Sequence, residues 1–405
     1  MTKPTLPRIA ILGAGPIGLE AAIYARTLGH PTTVYDSGQV AEHVLRWGHI
    51  KMFTAFGGNV TTLGKNVLLR EQPTLEFPPD SEVQTGRDYR DTYLVPLAET
   101  ALLKSSLQLQ TLVLTIGRTG WRKTDPADAK KPLPPFRLLV RDAKGVERFD
   151  AADIVLDCTG TYSKPNWVGD GGIPAAGEIV ARPQVSYWLD EILGNKKAHY
   201  AGKSIVLIGG GYSGATTMCQ LAELAEENQS TWVIWLSHGP RGGPLPRIPN
   251  DPLRERDKLA VRGNSLASRC DSNLEYHAQM CIDELISHGP DKGFRVAGHI
   301  GTKPMSWEVD RVIANVGYRP DMTLCQELRI AEPSGDIVAA EPGYYFLGAK
   351  SKGRDSNFLL RDGHEQVRRA FAAISGNRTL DLHARKAAQV NDSTTYPPTH
   401  PWNHP

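Results

Sequence analysis

Paired cysteines are missing from this sequence. Five are present, Cys158, Cys219, Cys270, Cys281 and Cys325, and none falls in a CxxC or CxxxxC pair. They read as reduced thiols, and the usual dithiol relay, which needs two neighbouring sulfurs, has no motif here. No window supplies the ~20 apolar residues of a membrane span, and the apolar run in MTKPTLPRIAILGAG is too short for a signal peptide, so a cytoplasmic location is expected. Charge of one sign is missing too: 46 basic residues stand against 44 acidic, for a net charge of +2, and neither forms a long block. A nucleic-acid track or a membrane-surface helix is disfavoured, and small-molecule partners are favoured. HExxH, GxSxG and paired cysteine-histidine spacing do not occur, so neither a metal site nor a serine nucleophile is expected.

What is there is a chain long enough for two or three cores. Its 405 residues compare with roughly 100–200 for a typical domain. Arg8 to Leu12 (RIAIL) is a branched apolar run that predicts a strand, followed at once by Gly13-Ala14-Gly15-Pro16-Ile17-Gly18 and then by LEAAIYARTLG with helical spacing. Gly13 permits a tight turn, Gly15 lets backbone approach a pyrophosphate, and Gly18 lets the helix pack on the strand with its N-terminus aimed at the phosphates. A second branched run, PTTVYD, ends at Asp36, where a carboxylate would accept hydrogen bonds from a ribose; Ser37 follows it.

The pattern returns. SIVLI leads into Gly209-Gly210-Gly211-Tyr212-Ser213-Gly214 and the helical ATTMCQLAELAEE, so two dinucleotides are implied. The next strand, TWVIWL, ends in Ser237-His238-Gly239-Pro240-Arg241, where hydroxyl, imidazole and guanidinium suit a ribose phosphate and a carboxylate is missing. NADPH is therefore favoured over NADH, with Arg247 a fallback should Arg241 only cap a solvated loop. RIPNDPLRERDKLAVRG reads as a loop plus helix inside this second domain.

This layout resembles the flavoproteins with two dinucleotide-binding domains, which include flavin-containing monooxygenases and thioredoxin reductases. The resemblance implies an α/β fold of two Rossmann-like three-layer domains, binding FAD and NADPH (or NADH), with the FAD domain discontinuous. It implies an FAD domain at 1–165, a nicotinamide domain at 166–308, a return to the FAD domain at 309–390 and a tail at 391–405. Tyr93 to Leu103 is an amphipathic helix, and LQLQTLVLTIGR is similar to the family strand whose backbone near Val113 meets the adenine. A hairpin around Asp142-Ala143-Lys144-Gly145 leads to DIVLDCTG, where Thr159-Gly160 matches the family's ATG turn with Cys158 in place of alanine. A second such turn falls at Gly317, and the family's Gly-Asp pair at the flavin ribityl chain reads Gly348-Ala349 here, before a helix expected around Asn357 to Ala373.

By the same layout, EHVLRWGHIKMFTAFGGNVTTLG runs beside the flavin ring. Arg46, Trp47, His49, Lys51 and Asn59 combine stacking surface with donors; Trp47 is a cofactor contact, and His49, Lys51 and Asn59 are catalytic candidates that serve equally well as packing groups. His364, Arg368 and Arg369 read as the wet face of the last helix. Three functions follow from the resemblance: a monooxygenase acting on a small molecule, a reductase of a quinone, small disulfide or carrier protein, or a non-catalytic flavin-binding accessory protein. The first fits the GGGYSGA turn, although the FxGxxxH fingerprint is not found; a homodimer is allowed by the sequence without being indicated by it.

Overall fold

Branched apolar runs of four or five residues become the central strands of two parallel sheets. The computed structural model describes residues 6–126, 133–240, 242–269, 273–339 and 341–384. Contacts divide the chain into two units, Met1–Lys164 with Arg319–Pro405, and Pro165–Tyr318. In chain order the first unit contributes β1 (Ile9–Leu12), β2 (Thr32–Tyr35), β3 (Leu107–Gln108), β4 (Leu112–Arg118), β5 (Phe136–Arg141), β6 (Glu147–Ala152) and β7 (Ile154–Asp157). The second contributes β8 (Ser204–Ile208), β9 (Trp232–Leu236), β10 (Leu274–His277), β11 (Cys281–Ser287), β12 (Phe294–Ile300), β13 (Lys303–Val309) and β14 (Arg311–Ala314), after which β15 (Tyr344–Phe346) rejoins the first.

In the first unit the parallel sheet runs β15-β7-β1-β2-β3, with Ile9 opposite both Thr32 and Ile154. Strand periodicity assigns its two faces. Ile9 and Ile11 pack with helices Pro16–Thr27 and Leu360–Ser375, whereas Ala10 and Leu12 meet Phe136, Leu138 and Val140 of the antiparallel β4-β5-β6 sheet. Three layers result. The hairpin expected at Asp142 is present: the Asp142 carboxylate accepts from the Lys144 and Val146 amides at 2.9 and 3.0 Å, and Gly145 takes a positive φ of 80°.

The second unit repeats the construction on β10-β9-β8-β14. Ile205, Leu207, Val233 and Trp235 pack against helix Tyr212–Glu227, and Val206, Ile208, Ile234 and Leu236 face the antiparallel β11-β12-β13 sheet. The loop-plus-helix expected after Arg247 ends in the helix Arg254–Ser268.

Three expectations shift. The return to the first unit, expected near Val309, comes at Arg319, because β14 is a fourth parallel strand pairing with β8 through Arg311–Ile205 to Ala314–Ile208. The helix expected at Tyr93 to Leu103 begins earlier and ends sooner, as consecutive segments Gly86–Tyr89, Arg90–Leu94 and Val95–Glu99, the middle one a π turn. Pro96 explains that turn: it offers no amide to the ladder and its ring crowds the preceding carbonyls, so the helix widens by one residue. The last helix starts at Leu360, where Asp362 accepts from the Leu359 amide at 3.2 Å. The expected tail at 391–405, Arg241 and Cys270 lie outside the described residues.

Candidate functional site

The two glycine turns have the same stereochemistry, residue for residue. Gly13 takes φ +100° and Gly209 φ +136°, conformations that L side chains rarely adopt. The Gly13 amide donates to Tyr35 O at 2.7 Å and the Gly209 amide to Leu236 O at 2.9 Å, tying each turn to the neighbouring strand. A Cβ on Gly13 would stand 2.8 Å from Cys158 O, and one on Gly209 would stand 2.2 Å from Asn315 O. Three residues into each helix, a Cβ on Gly18 would meet Gly13 O at 1.8 Å and one on Gly214 would meet Gly209 O at 2.2 Å. The middle glycines differ in kind: around a Cβ on Gly15 or Gly211 nothing lies within 4 Å.

Both helices begin without a side-chain cap and without an acid in the first turn, so their leading amides and positive dipole ends are left to a ligand. A missing side chain, free amides and a helix N-terminus together fit a diphosphate. Beside the first turn, Asp36 accepts from the Ala14 amide at 2.7 Å through one oxygen and from the Gly38 amide at 2.8 Å through the other. Each oxygen keeps a lone pair for a sugar hydroxyl. Ser37 is exposed next to it. Ser237 follows β9 as Asp36 follows β2, is buried, and accepts from the Gly239 amide at 3.1 Å, while His238 is exposed. Arg247 forms a bidentate pair with Asp257 at 2.9 and 2.8 Å, which accounts for its guanidinium.

At the end of β7 the structure assembles a network that motif reading does not reach. Asp157, Lys350 and Tyr344 are fully buried; one Asp157 oxygen takes hydrogen bonds from Lys350 Nζ and Tyr344 Oη, both at 2.7 Å. Its other oxygen accepts from the Thr159 hydroxyl at 2.6 Å and amide at 3.2 Å, and Lys350 also donates to Thr159 Oγ1 at 3.1 Å. Thr159, Gly160 with φ +67° and Gly348 with φ +71° are thereby held together, the Gly348 amide donating to Gln366 at 2.8 Å. The sequence signal was a single charged residue closing an apolar strand.

No family model matches the chain, and no curated protein matches it. Among solved structures, the bacillithiol disulfide reductase Bdr (YpdA) from Bacillus cereus is similar over 90% of this chain and 97% of its own, at 17% identity and a TM-score of 0.65. The FAD-bound cadaverine monooxygenase DfoA of desferrioxamine biosynthesis, from Erwinia amylovora, is similar over 96% of this chain and 99% of its own, at 14% identity and a TM-score of 0.65. The thioredoxin reductase of T. acidophilum is similar at 18% identity and a TM-score of 0.58, covering 92% and 98%. The fold is that of the two-domain flavoproteins.

Within this flavoprotein fold the remaining candidates find varied surroundings. Trp47 lies over Gly86, where an added Cβ would stand 2.4 Å from the indole. His49 is half-buried, and Lys51 is exposed and bridges to Thr85. Asn59, at the end of the short helix Phe56–Asn59, is fully buried, its side chain donating to Thr54 O at 3.1 Å and accepting from Thr54 Oγ1. Arg46 is exposed, 3.7 Å from Glu42. Val113 sits in β4 beside a β-bulge and packs partly against the core. Burial, reinforced by the adjacent Asp157 charge, pushes the Cys158 thiol well up, and the Cys219 and Cys325 thiols are raised by burial as well. No described helix is long and apolar enough to cross a membrane.

Proposed function

We propose that this chain is an NAD(P)H-dependent FAD oxidoreductase, with FAD in the first unit and the nicotinamide coenzyme, NADPH ahead of NADH, in the second. The observation that carries the reading is the matched pair of cradles, each with one glycine forced by φ, one by a backbone approach and one facing open space. In the first, the turn of Gly13, Gly15, Pro16, Ile17 and Gly18 would cradle the diphosphate through backbone amides other than that of Gly13, which is tied to Tyr35 O, and with none from Pro16; Asp36 and Ser37 would hold the ribose, and Thr159, Gly160 and Gly348 the flavin end. In the second, Gly209, Gly211, Tyr212, Ser213 and Gly214 would hold the diphosphate, and Ser237, His238 and Arg241 the phosphorylated ribose. Bound FAD supplies the hydride acceptor, and the protein supplies position and charge.

For the second half of the cycle we favour oxygenation of a small molecule. A thiol relay needs a thiolate, and burial holds the Cys158 thiol, next to the Thr159-Gly160 turn, in its neutral form. Reduction of a small disulfide is the second reading, favoured by the likeness to the bacillithiol disulfide reductase. Purified, FAD-replenished protein should be yellow, and NADPH should bleach it without air. Cadaverine, L-lysine, L-ornithine and a panel of low-molecular-weight disulfides are then supplied in turn. Labelled dioxygen appearing in an amine product supports oxygenation, thiol release without oxygen uptake supports reduction, and a colourless protein indifferent to NADPH refutes both.

A further inference from the structure

Next to the ribose position proposed for the second unit, three side chains of different chemistry converge from three parts of the chain, and an ion held there would share His238 with that ribose. Asp170 opens the short turn Asp170–Gly172, His238 follows β9, and Cys281 opens β11. Their carboxylate, imidazole and sulfur ligand atoms all lie within 4.8 Å of one another, with His238 Nε2 3.9 Å from Asp170 Oδ1. Each is one residue removed from a backbone tether. Gly169 bridges to Ile282, and the Met280 amide donates to Ser237 O at 3.0 Å, so the segments bearing the donors are pinned to one another rather than brought together by loose loops. Asp170 and His238 are exposed and Cys281 half-buried, which leaves the side chains room to turn inward.

We propose that Asp170, His238 and Cys281 form a binding site for a borderline-soft divalent cation of the zinc class. One oxygen, one nitrogen and one sulfur donor suit such an ion far better than magnesium or calcium, which take oxygen ligands. Bond lengths of about 2.0–2.3 Å require the donors to draw in by roughly 1 Å from their present spacing, a side-chain rotation rather than a backbone movement. Burial, then the Asp170 and Asp283 charges, keep the Cys281 thiol protonated without metal. On binding, the sulfur–hydrogen bond gives way to a sulfur–metal bond and the proton leaves to solvent; no electron moves. Thiolate and carboxylate then balance the two positive charges of the ion, and water completes the coordination. Asp283, bonded to His299 at 2.7 Å, lies close enough to add its charge.

The full-length chain, stripped with a chelator, is titrated with Zn²⁺ against a chromophoric indicator, and with Co²⁺ while difference spectra are recorded. The site predicts one ion per chain, weaker binding as pH falls, and a thiolate-to-cobalt charge-transfer band. Cys281→Ser should abolish that band and weaken zinc binding by more than about 100-fold, since even a group behind the ligands is worth 10–100-fold. Asp170→Asn should weaken it too, and His288→Ala, whose imidazole pairs elsewhere with Glu308, should not. Circular dichroism verifies that each variant is folded. Equal zinc affinity in the native chain and in Cys281→Ser, or cobalt binding without the sulfur band, would overturn the proposal.

Discussion

The glycines of the first turn make separable demands on a single atom. Gly15 takes φ −80° and ψ −174°, which any residue adopts, and its missing side chain faces open space, so Gly15→Ala should cost the fold less than about 1 kcal/mol while strongly reducing retained FAD. Gly18→Ala puts a carbon into the Gly13 carbonyl and should cost about 1–3 kcal/mol or more. Urea unfolding with and without added flavin reads both effects; equal stability losses would refute the distinction. Lys350 presents the opposite case, a charge whose value depends on its partner. Lys350→Met strands Asp157 without its counter-ion and should lower unfolding stability by roughly 3–5 kcal/mol, measured by urea titration.

At the scale of elements, helix Leu360–Ser375 shows what the sequence conceals. His364, read as part of its wet face, is buried: desolvation lowers its pKa, with the nearby Glu20 opposing and His383 adding to the effect. His30, beside Phe371 of the same helix, is also lowered by burial. The unfolded chain takes up these protons first as pH falls below about 6.5, so their contribution to stability is complete above that pH and is lost below it. Replacing His364 by leucine should therefore flatten the decline in urea midpoint between about pH 7 and 5, and an unchanged slope would count against the assignment. Strands, glycine turns and the Asp142 hairpin were legible because short-range sterics fix them. The π turn traces to Pro96 in hindsight only, since its effect depends on the helix having already begun at Gly86.

Across the whole molecule, two units of one design imply two binding events that mutation can separate. Gly214→Ala forces a carbon against Gly209 O in the second unit and leaves Gly13 to Gly18 untouched. The purified variant should remain yellow yet show at least a tenfold weaker response to NADPH in anaerobic bleaching; parallel loss of colour and coenzyme response would indicate that the turns do not act as separate sites. The layer order and both cradles could be read from the sequence, whereas the Asp157–Lys350 pair and the Asp170, His238 and Cys281 cluster could not. Lysine is ordinarily a surface residue, and these partners meet only through tertiary pairing.

The interrupted path of the first unit also sets the order of events during synthesis. Residues 165–318 are contiguous and can complete their sheet as soon as they leave the ribosome. The earlier strands cannot, because β7 waits for its neighbour β15, and Asp157 waits for an ammonium 193 residues downstream. Until then the nascent chain carries an open sheet edge and a carboxylate without its counter-ion, a stage at which mispairing would be most damaging.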